Sequence, residues 1–514
     1  MVLRRLRTAS ARESLLLLLP LALSAYVYHP ITAGYFYADD FLNLYRIVNA
    51  DLLDYLLRPH GGHLLFARNA LFYLFFQAFG MHAGLYLWAV LITHLVNVAL
   101  LFGVIDRLTD SAPLAAFGAA LWGASPLHAE ALVWYSVYGQ VVVGTILLLI
   151  LFQAAGVARR SRPLTRVDMV LWPVLLVLGC TCFGIGIGVA IVAPAVLFLL
   201  LPRSPRAAWL CVGLAVIALA LPVLYRAALA LHAVLFGASS EVFMSQMLSA
   251  GLRSERVVTM LGLLLSAGVA VLLPGLAALA RAHPDLPAYA AVLFGLLVIA
   301  TLVRSPAETR RAILALLLLS AASYGLIAVG RSGFFEPEKM AAAAAQSRYH
   351  YVATAPLVAV LCLMLGRLGE VVRAPDGVKY AALAVFAAVM LVSAAAARPF
   401  ISLHPTSRAE VERVGSAVTS AVSASAPAAA VYIRNQTFHS VGNLLVLDPA
   451  SFPGWAAVFT FLFPSNVVDG RRVYFVVDDP AVRAAAGSGK RSAGLLVPPA
   501  DADGRGGAAE PQSS

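Results

Sequence analysis

The sequence predicts an α-helical polytopic membrane protein, and three observations carry that prediction. Of its 514 residues, 61% are hydrophobic and only 12% are charged, against roughly 25% charged and 45–50% apolar in a soluble domain. So few charges cannot cover a water-facing surface, and most of the chain must face lipid. The apolar residues also gather into runs near the ~20 residues a helix needs to cross the hydrocarbon core. Finally, the basic residues sit in short stretches between those runs, the placement that orients membrane proteins with their positive loops in the cytoplasm. The net charge of +11 is accounted for in this way, and no nucleic-acid partner is expected.

In chain order, the N-terminal "MVLRRLRTASARESLLLLLPLALSAYVYHP" has the basic start and "ALSA" site of a signal peptide. Ahead of so many later spans it reads better as an uncleaved first span with a cytoplasmic N-terminus. Apolar runs lie near 13–29, 84–106, 112–127, 137–158, 168–182, 184–201, 207–232, 257–280, 286–303, 311–330, 350–367 and 378–397. The stretch 168–201 is too long for one untilted crossing and is split into a hairpin at "FGIGIG" (183–188). That glycine spacing is no nucleotide fingerprint, since no strand precedes it; a turn with close helix approach is expected.

The loops "RRSRPLTR" (159–166), "PRSPR" (202–206), "RSPAETRR" (304–311) and "GRLGEVVRAPDGVK" (366–379) are read as cytoplasmic. Three runs between the second and third of these break parity. The run 257–280, which follows "RSER" and contains Pro274, is therefore expected not to cross fully. About eleven crossings result, in a cell inner membrane or plasma membrane, with the C-terminus outside. The four cysteines, Cys180, Cys182, Cys211 and Cys362, all lie in apolar stretches and read as packing residues.

Residues 1–400 then form the membrane domain. Its outer face comprises the first loop (30–83), "SPLHAEALVWYSVYGQ" (125–140), the loop 233–256 and "RSGFFEPEKMAAAAAQSRYHY" (331–351). In the first loop, "DFLNLYRIVNADLLDYLL" and "HLLFARNALFYLFFQAFG" are amphipathic and predict helices lying on the membrane surface. Residues 401–485 predict a small extracytoplasmic α/β domain: a helix in "TSRAEVERVGSAVTSAVSAS" and strands in "AAVYIRN", "LLVLD" and "RRVYFVVDD". Residues 486–514 are Gly-, Ala-, Ser- and Pro-rich and predict disorder.

Few polar residues remain to do chemistry. Asp39 and Asp40, in "YFYADDFLNLY", are neighbouring carboxylates near membrane depth, where ionisable groups are functional candidates. Mutual repulsion and partial desolvation raise the pKa of at least one, as suits a base that deprotonates a hydroxyl; helix capping is the competing structural role. His128 and Glu130 lie two apart, so they share no helix face and need a turn to aim at one point. Glu130 calls for a partner: His128, a metal ion or a substrate hydroxyl. Arg348, Tyr349 and Tyr351 open a late span; the guanidinium suits bidentate phosphate binding, and the competing role is an aromatic-belt anchor.

The order of these clusters resembles that of the GT-C glycosyltransferases, most closely the protein O-mannosyltransferases and the transmembrane-and-TPR O-mannosyltransferases. Those carry an acidic pair in the first luminal loop, then "HPxHxEAVxW", then "ERYxYxP". The matching residues are Asp39 and Asp40; Pro126, His128, Glu130, Ala131 and Trp134; and Arg348, Tyr349 and Tyr351. "LYLWAVLITHLVNVALLF" is similar to their "YHLxNLLLHxxNALLL" through His94 and Asn97. The resemblance spans roughly residues 14–400. It departs where "SVYGQ" (136–140) replaces "SGRxD/E", where "CFG" (182–184) replaces "SKE", where Arg68-Asn69 replaces "RP", and in having no TPR repeats.

The resemblance implies an inverting transferase that moves a sugar from a polyprenyl-phosphate donor to a hydroxyl on a protein, lipid or glycan outside the cytoplasm. Asp40 or Asp39 would be the base. His128, Glu130, Arg348, Tyr349, Tyr351 and Arg68 would bind substrate, with Arg348 and Arg68 the candidates for the lipid phosphate. No cofactor is required; a variant places Mg²⁺ or Mn²⁺ among Asp39, Asp40 and Glu130. Two alternatives stand beside it: a transporter or flippase for a lipid-linked or anionic solute, and a non-catalytic partner in envelope polysaccharide assembly.

Overall fold

Among the described residues, seven helices are long and apolar enough to cross a membrane. The computed structural model describes residues 11–36, 39–49, 51–60, 63–80, 82–236, 254–270, 272, 283, 285–333, 335–372, 424, 430–436, 467–468 and 471–477, with isolated helical positions between 385 and 401. By its contacts the chain divides into two units, Met1–Ala33 with Asp51–His404 and Gly34–Ala50 with Pro405–Ser514.

The first unit is helical. α1 (Ala11–Tyr28) runs into a 3-10 turn. In the second unit, α2 (Asp39–Asn49) is the helix that carries the acidic pair. The first unit resumes with α3 (Leu52–Leu57), whose N-terminal amides at Leu53 and Asp54 are capped by Asp51. A two-residue ribbon follows, β1 (Pro59–His60) against β2 (His63–Leu64), and then α4 (Phe66–Phe79). α5 (Ala83–Thr109), α6 (Ala112–Gly123), α7 (Ala129–Val133) and α8 (Tyr138–Ala158) carry the fold to the first basic loop. Beyond it lie α9 (Arg166–Cys182), α10 (Ile185–Leu200), α11 (Pro205–Phe236), α12 (Ser254–Ala270), α13 (Leu286–Arg304) and α14 (Ala307–Arg331). The short α15 (Met340–Ala344) then leads to α16 (Tyr351–Val372).

The seven candidates for crossing, by length and composition, lie at α1, α5, α8, α11, α13, α14 and α16. α6 and α10, both expected as crossings, are apolar helices of 12 and 16 residues, and α12 has 17 with Glu255 in its first turn. The expected break in 168–201 falls at Phe183–Gly184, between α9 and α10. There the two helices run so close that a Cβ on Gly186 would press into the Gly179 carbonyl, and one on Gly139 of α8 into the Cys182 carbonyl.

Polar residues inside the helical unit fall at packed positions. Arg107 stacks its guanidinium 3.4 Å over Phe152 and donates to the Phe152 carbonyl at 2.5 Å. All four cysteines are free.

The second unit contains a three-stranded sheet of order β3-β5-β4: β3 (Ala430–Gln436) lies parallel to β5 (Arg471–Val477), and β4 (Val467–Val468) antiparallel to it. β3 and β5 fall on the runs "AAVYIRN" and "RRVYFVVDD"; the two-residue β4 is too short to show in the sequence pattern. The register of Ala430 opposite Arg472 shifts between Ile433 and Gln436. The expected tail helix (404–424), the strand "LLVLD" and the disordered end 486–514 lie outside the described residues.

Candidate functional site

In the helical unit, "SPLHAEALVW" and "QSRYHY" meet. Ser125 accepts the Leu127 amide at 3.4 Å and Pro126 has no amide to satisfy, so the chain opens a single 3-10 turn, Pro126–His128, before α7. This change of helix type separates two residues that lie only two apart. His128 turns inward and is fully buried, while the Glu130 side chain keeps 26% of its surface. A second 3-10 turn, Ser347–Tyr349, plays the same part before α16.

The two turns are tied in both directions. The Glu130 amide donates to Ser347 Oγ at 2.9 Å, and the Arg348 amide donates to Glu130 Oε2 at 3.1 Å. Arg348 Nη1 reaches Glu130 Oε1 at 3.4 Å, and its Nη2 donates to Gln346 Oε1 at 2.5 Å. The guanidinium carbon lies 5.5 Å from the Trp134 ring centre and 5.1 Å from that of Tyr349. An arginine has five N–H donors; two are used here, so three remain for a ligand. With 22% and 26% of the two side chains exposed, the ion pair itself contributes only about 0–1 kcal/mol. Its consequence is orientation: one guanidinium held at the surface between two aromatic rings.

Behind this pair lies a fully buried set of hydrogen bonds. Thr354 donates its only hydroxyl proton to the His350 carbonyl at 2.7 Å. Its Oγ1 therefore accepts from Trp122 Nε1 at 3.2 Å and from His128 Nε2 at 3.3 Å. That fixes the His128 tautomer and leaves its Nδ1 buried without a partner among the described residues. His94 donates from Nε2 to the Gly123 carbonyl at 2.9 Å, so its Nδ1 accepts the Tyr351 hydroxyl, also at 2.9 Å. Asn97 completes the chain, donating to Tyr351 Oη at 3.0 Å and to the Val141 carbonyl at 3.0 Å. Tyr28 adds a bond to the Ser125 carbonyl.

His350 donates from Nε2 to the Ala344 carbonyl at 2.8 Å and accepts the Tyr324 hydroxyl at 2.9 Å. Burial pushes its pKa down to about 4, against the raising effects of the Ala344 carbonyl and Glu130. Burial, with the His94 and His350 rings beside it, holds His128 well below the ordinary histidine value. Both imidazoles are therefore neutral at pH 7.

The candidates of the helical unit thus divide by burial. Tyr351, His128, Tyr349 (4% exposed) and Arg68 (2%) are inside, with Arg68 beside Gly139 at the start of α8. Glu130 and Arg348 are at the surface. In the second unit, Asp39 and Asp40 both stand in the first turn of α2; Asp40 is 1% exposed, Asp39 is partly exposed, and the Asn43 side chain donates to the Asp39 carbonyl at 2.7 Å. Among the described residues no three His, Cys, Asp or Glu side chains form a metal-holding group.

One cluster escaped the sequence. Asp54 on α3 accepts from His232 Nε2 of α11 at 2.9 Å and pairs with Arg58. Burial raises the Asp54 carboxyl, but its hydrogen bonds to Arg58 and His232 outweigh that and hold it below the ordinary value. The available signal was His232 itself, a lone histidine at the end of the apolar run 207–232.

Compared with models of known protein families, the chain matches none, and it matches no curated protein sequence. Fold and site together define an α-helical membrane protein with an oriented arginine at the surface, Arg348.

Proposed function

We propose that the protein is an inverting glycosyltransferase that uses a polyprenyl-phosphate-linked sugar outside the cytoplasm. The observation that carries this reading is the meeting of Glu130 with Arg348, which puts a guanidinium with uncommitted donors at the surface, on segments that resemble motifs of the GT-C enzymes. Arg348 binds the donor phosphate through paired N–H donors, and Glu130 holds it in place. Asp40, with Asp39 beside it, takes the proton of the acceptor hydroxyl. The oxygen so freed attacks the sugar C1 as the C1–O bond to phosphate breaks, releasing the polyprenyl phosphate. Phosphate is a good leaving group, so positioning and charge stabilisation do most of the catalysis.

The buried set around Tyr351, His128 and Thr354 supports the Arg348 turn from behind. In this reading the basic loops face the cytoplasm with the N-terminus, about eleven segments cross, and the C-terminal unit is outside. The test is sugar transfer from a polyprenyl-phosphate donor by purified variants. Arg348→Lys is expected to raise KM for the donor by at least tenfold, through loss of the bidentate fork. Asp40→Asn should lower kcat by roughly 10²–10⁴-fold. If Asp39→Asn and Asp40→Asn both insert normally and transfer sugar at the wild-type rate, the reading fails.

A further inference from the structure

We propose that the opposite end of the helical unit holds a second site, which takes the phosphate of an anionic membrane lipid. α8 begins beside the Glu130–Arg348 turns and, over 21 residues, carries the chain about 31 Å to a cavity of about 680 Å³ between the ends of α8 and α10 and the start of α11. Arg160, Arg162 and Arg206 line it together with Ser204, and the rest of the lining includes Leu164 and Leu201; no carboxylate is among the lining residues.

Each arginine is placed at some cost that an anion would offset. Arg162 is held by Asp168 at 2.6 Å with its side chain 11% exposed, and its buried Nε has no partner among the described residues. Arg206 stands in the first turn of the 32-residue α11, where the helix dipole repels a cation and no acidic residue answers it. Arg160 closes α8 in a Schellman turn: its amide donates to the Val157 carbonyl and that of Ser161 to the Gly156 carbonyl, both at 3.0 Å. It therefore sits at φ 54°, a position that favours glycine. Neither Arg160 nor Arg206 makes an ion pair or a side-chain hydrogen bond among the described residues. The guanidinium forks of Arg160 and Arg206, with the Arg162 Nε beside them, match phosphate, and apolar walls beside them match the glycerol and acyl carbons of a lipid. Basic pockets between membrane helices bind lipid headgroups on this principle.

The backbone supplies a clean variant, because Arg160→Gly removes the charge and relieves the left-handed strain. The full chain in a neutral detergent is titrated with a fluorescent short-chain phosphatidylglycerol, and the bound probe is then competed with unlabelled phosphatidylglycerol, phosphatidylcholine or inorganic phosphate. The double variant Arg160→Gly, Arg206→Gln is expected to raise the Kd roughly tenfold or more, the worth of one or two charge-assisted hydrogen bonds. Arg310→Gln with Arg311→Gln, another basic pair lying outside the cavity lining, should leave it unchanged. Competition by phosphatidylglycerol alone supports the lipid. Competition by millimolar inorganic phosphate supports the same anion site but overturns the lipid as its source. Equal weakening by both double variants, or by neither, overturns the site.

Discussion

Removing one hydroxyl, in Tyr351→Phe, separates support from chemistry. Tyr351 is fully buried, and its hydroxyl donates to His94 and accepts from Asn97. The change strands the His94 Nδ1 lone pair and one Asn97 N–H in an interior where no water reaches them. Each such orphan costs about 1–3 kcal/mol, so roughly 2–4 kcal/mol is expected once the phenol's own desolvation is credited back. Glu130→Gln is the comparator. It breaks a 3.4 Å pair between side chains that keep 22% and 26% of their surface, a loss below about 1 kcal/mol. Melting is followed by the fraction of monodisperse protein left after heating in detergent, alongside sugar transfer at low temperature. Tyr351→Phe should melt several degrees below the wild type and retain most transfer where folded. Glu130→Gln should melt close to the wild type and lose transfer. If Tyr351→Phe melts with the wild type, the buried chain is not what holds the Arg348 turn. If it keeps its melting point but loses transfer, Tyr351 itself touches substrate.

Other expectations follow from the same packing. Gly139→Ala drives a methyl group into the Cys182 carbonyl and should abolish folded yield, whereas Gly295→Ala, with nothing within 4 Å, should be neutral or gain up to about 1 kcal/mol from helix propensity. His350 has a pKa of about 4 in the fold and 6.5 when unfolded, so between those values the unfolded chain binds more protons. Stability should then fall as pH drops from 6.5 towards 4, and a melting curve at each pH for wild type and His350→Gln would show the slope shrink in the variant. Asp54 carries linkage of the same sign at lower pH: its carboxyl is lowered on folding, so its contribution is complete above pH 3.8 and is lost as pH falls through the lowered value. Asp54→Asn should melt lower at neutral pH and lack that acid-side decline.

Much of this architecture was legible, for reasons particular to each element. α5, α8 and α14 carry apolar runs long enough that no other class of structure suits them. The runs at 112–127 and 184–201 form apolar helices shorter than the seven longest; an apolar run marks burial as readily as lipid exposure. Trp122 and Val189 are buried, and their helices end after 12 and 16 residues. His94 and Asn97, three apart, were visible as one helix face; that their shared target was the Tyr351 hydroxyl, 257 and 254 positions away, was not, since spacing within a helix says nothing about its neighbour. Glu130 in its apolar surroundings calls for a partner, and the sequence does not show that the partner is Arg348. The rule that predicts pairing fixes the sign of the charge, not its address. Asp54 and His232 failed for the same reason, each looking ordinary until α3 meets α11.

The two-way tie between the turns at 126–133 and 347–349 also sets an order of events in synthesis. It closes a loop of 217 residues, whose far end belongs to one of the last described helices. A nascent chain can insert α1 through α14 and still have no Glu130–Arg348 pair. The tie therefore forms only when residues 347–354 emerge and dock, and a copy stopped before residue 347 lacks it.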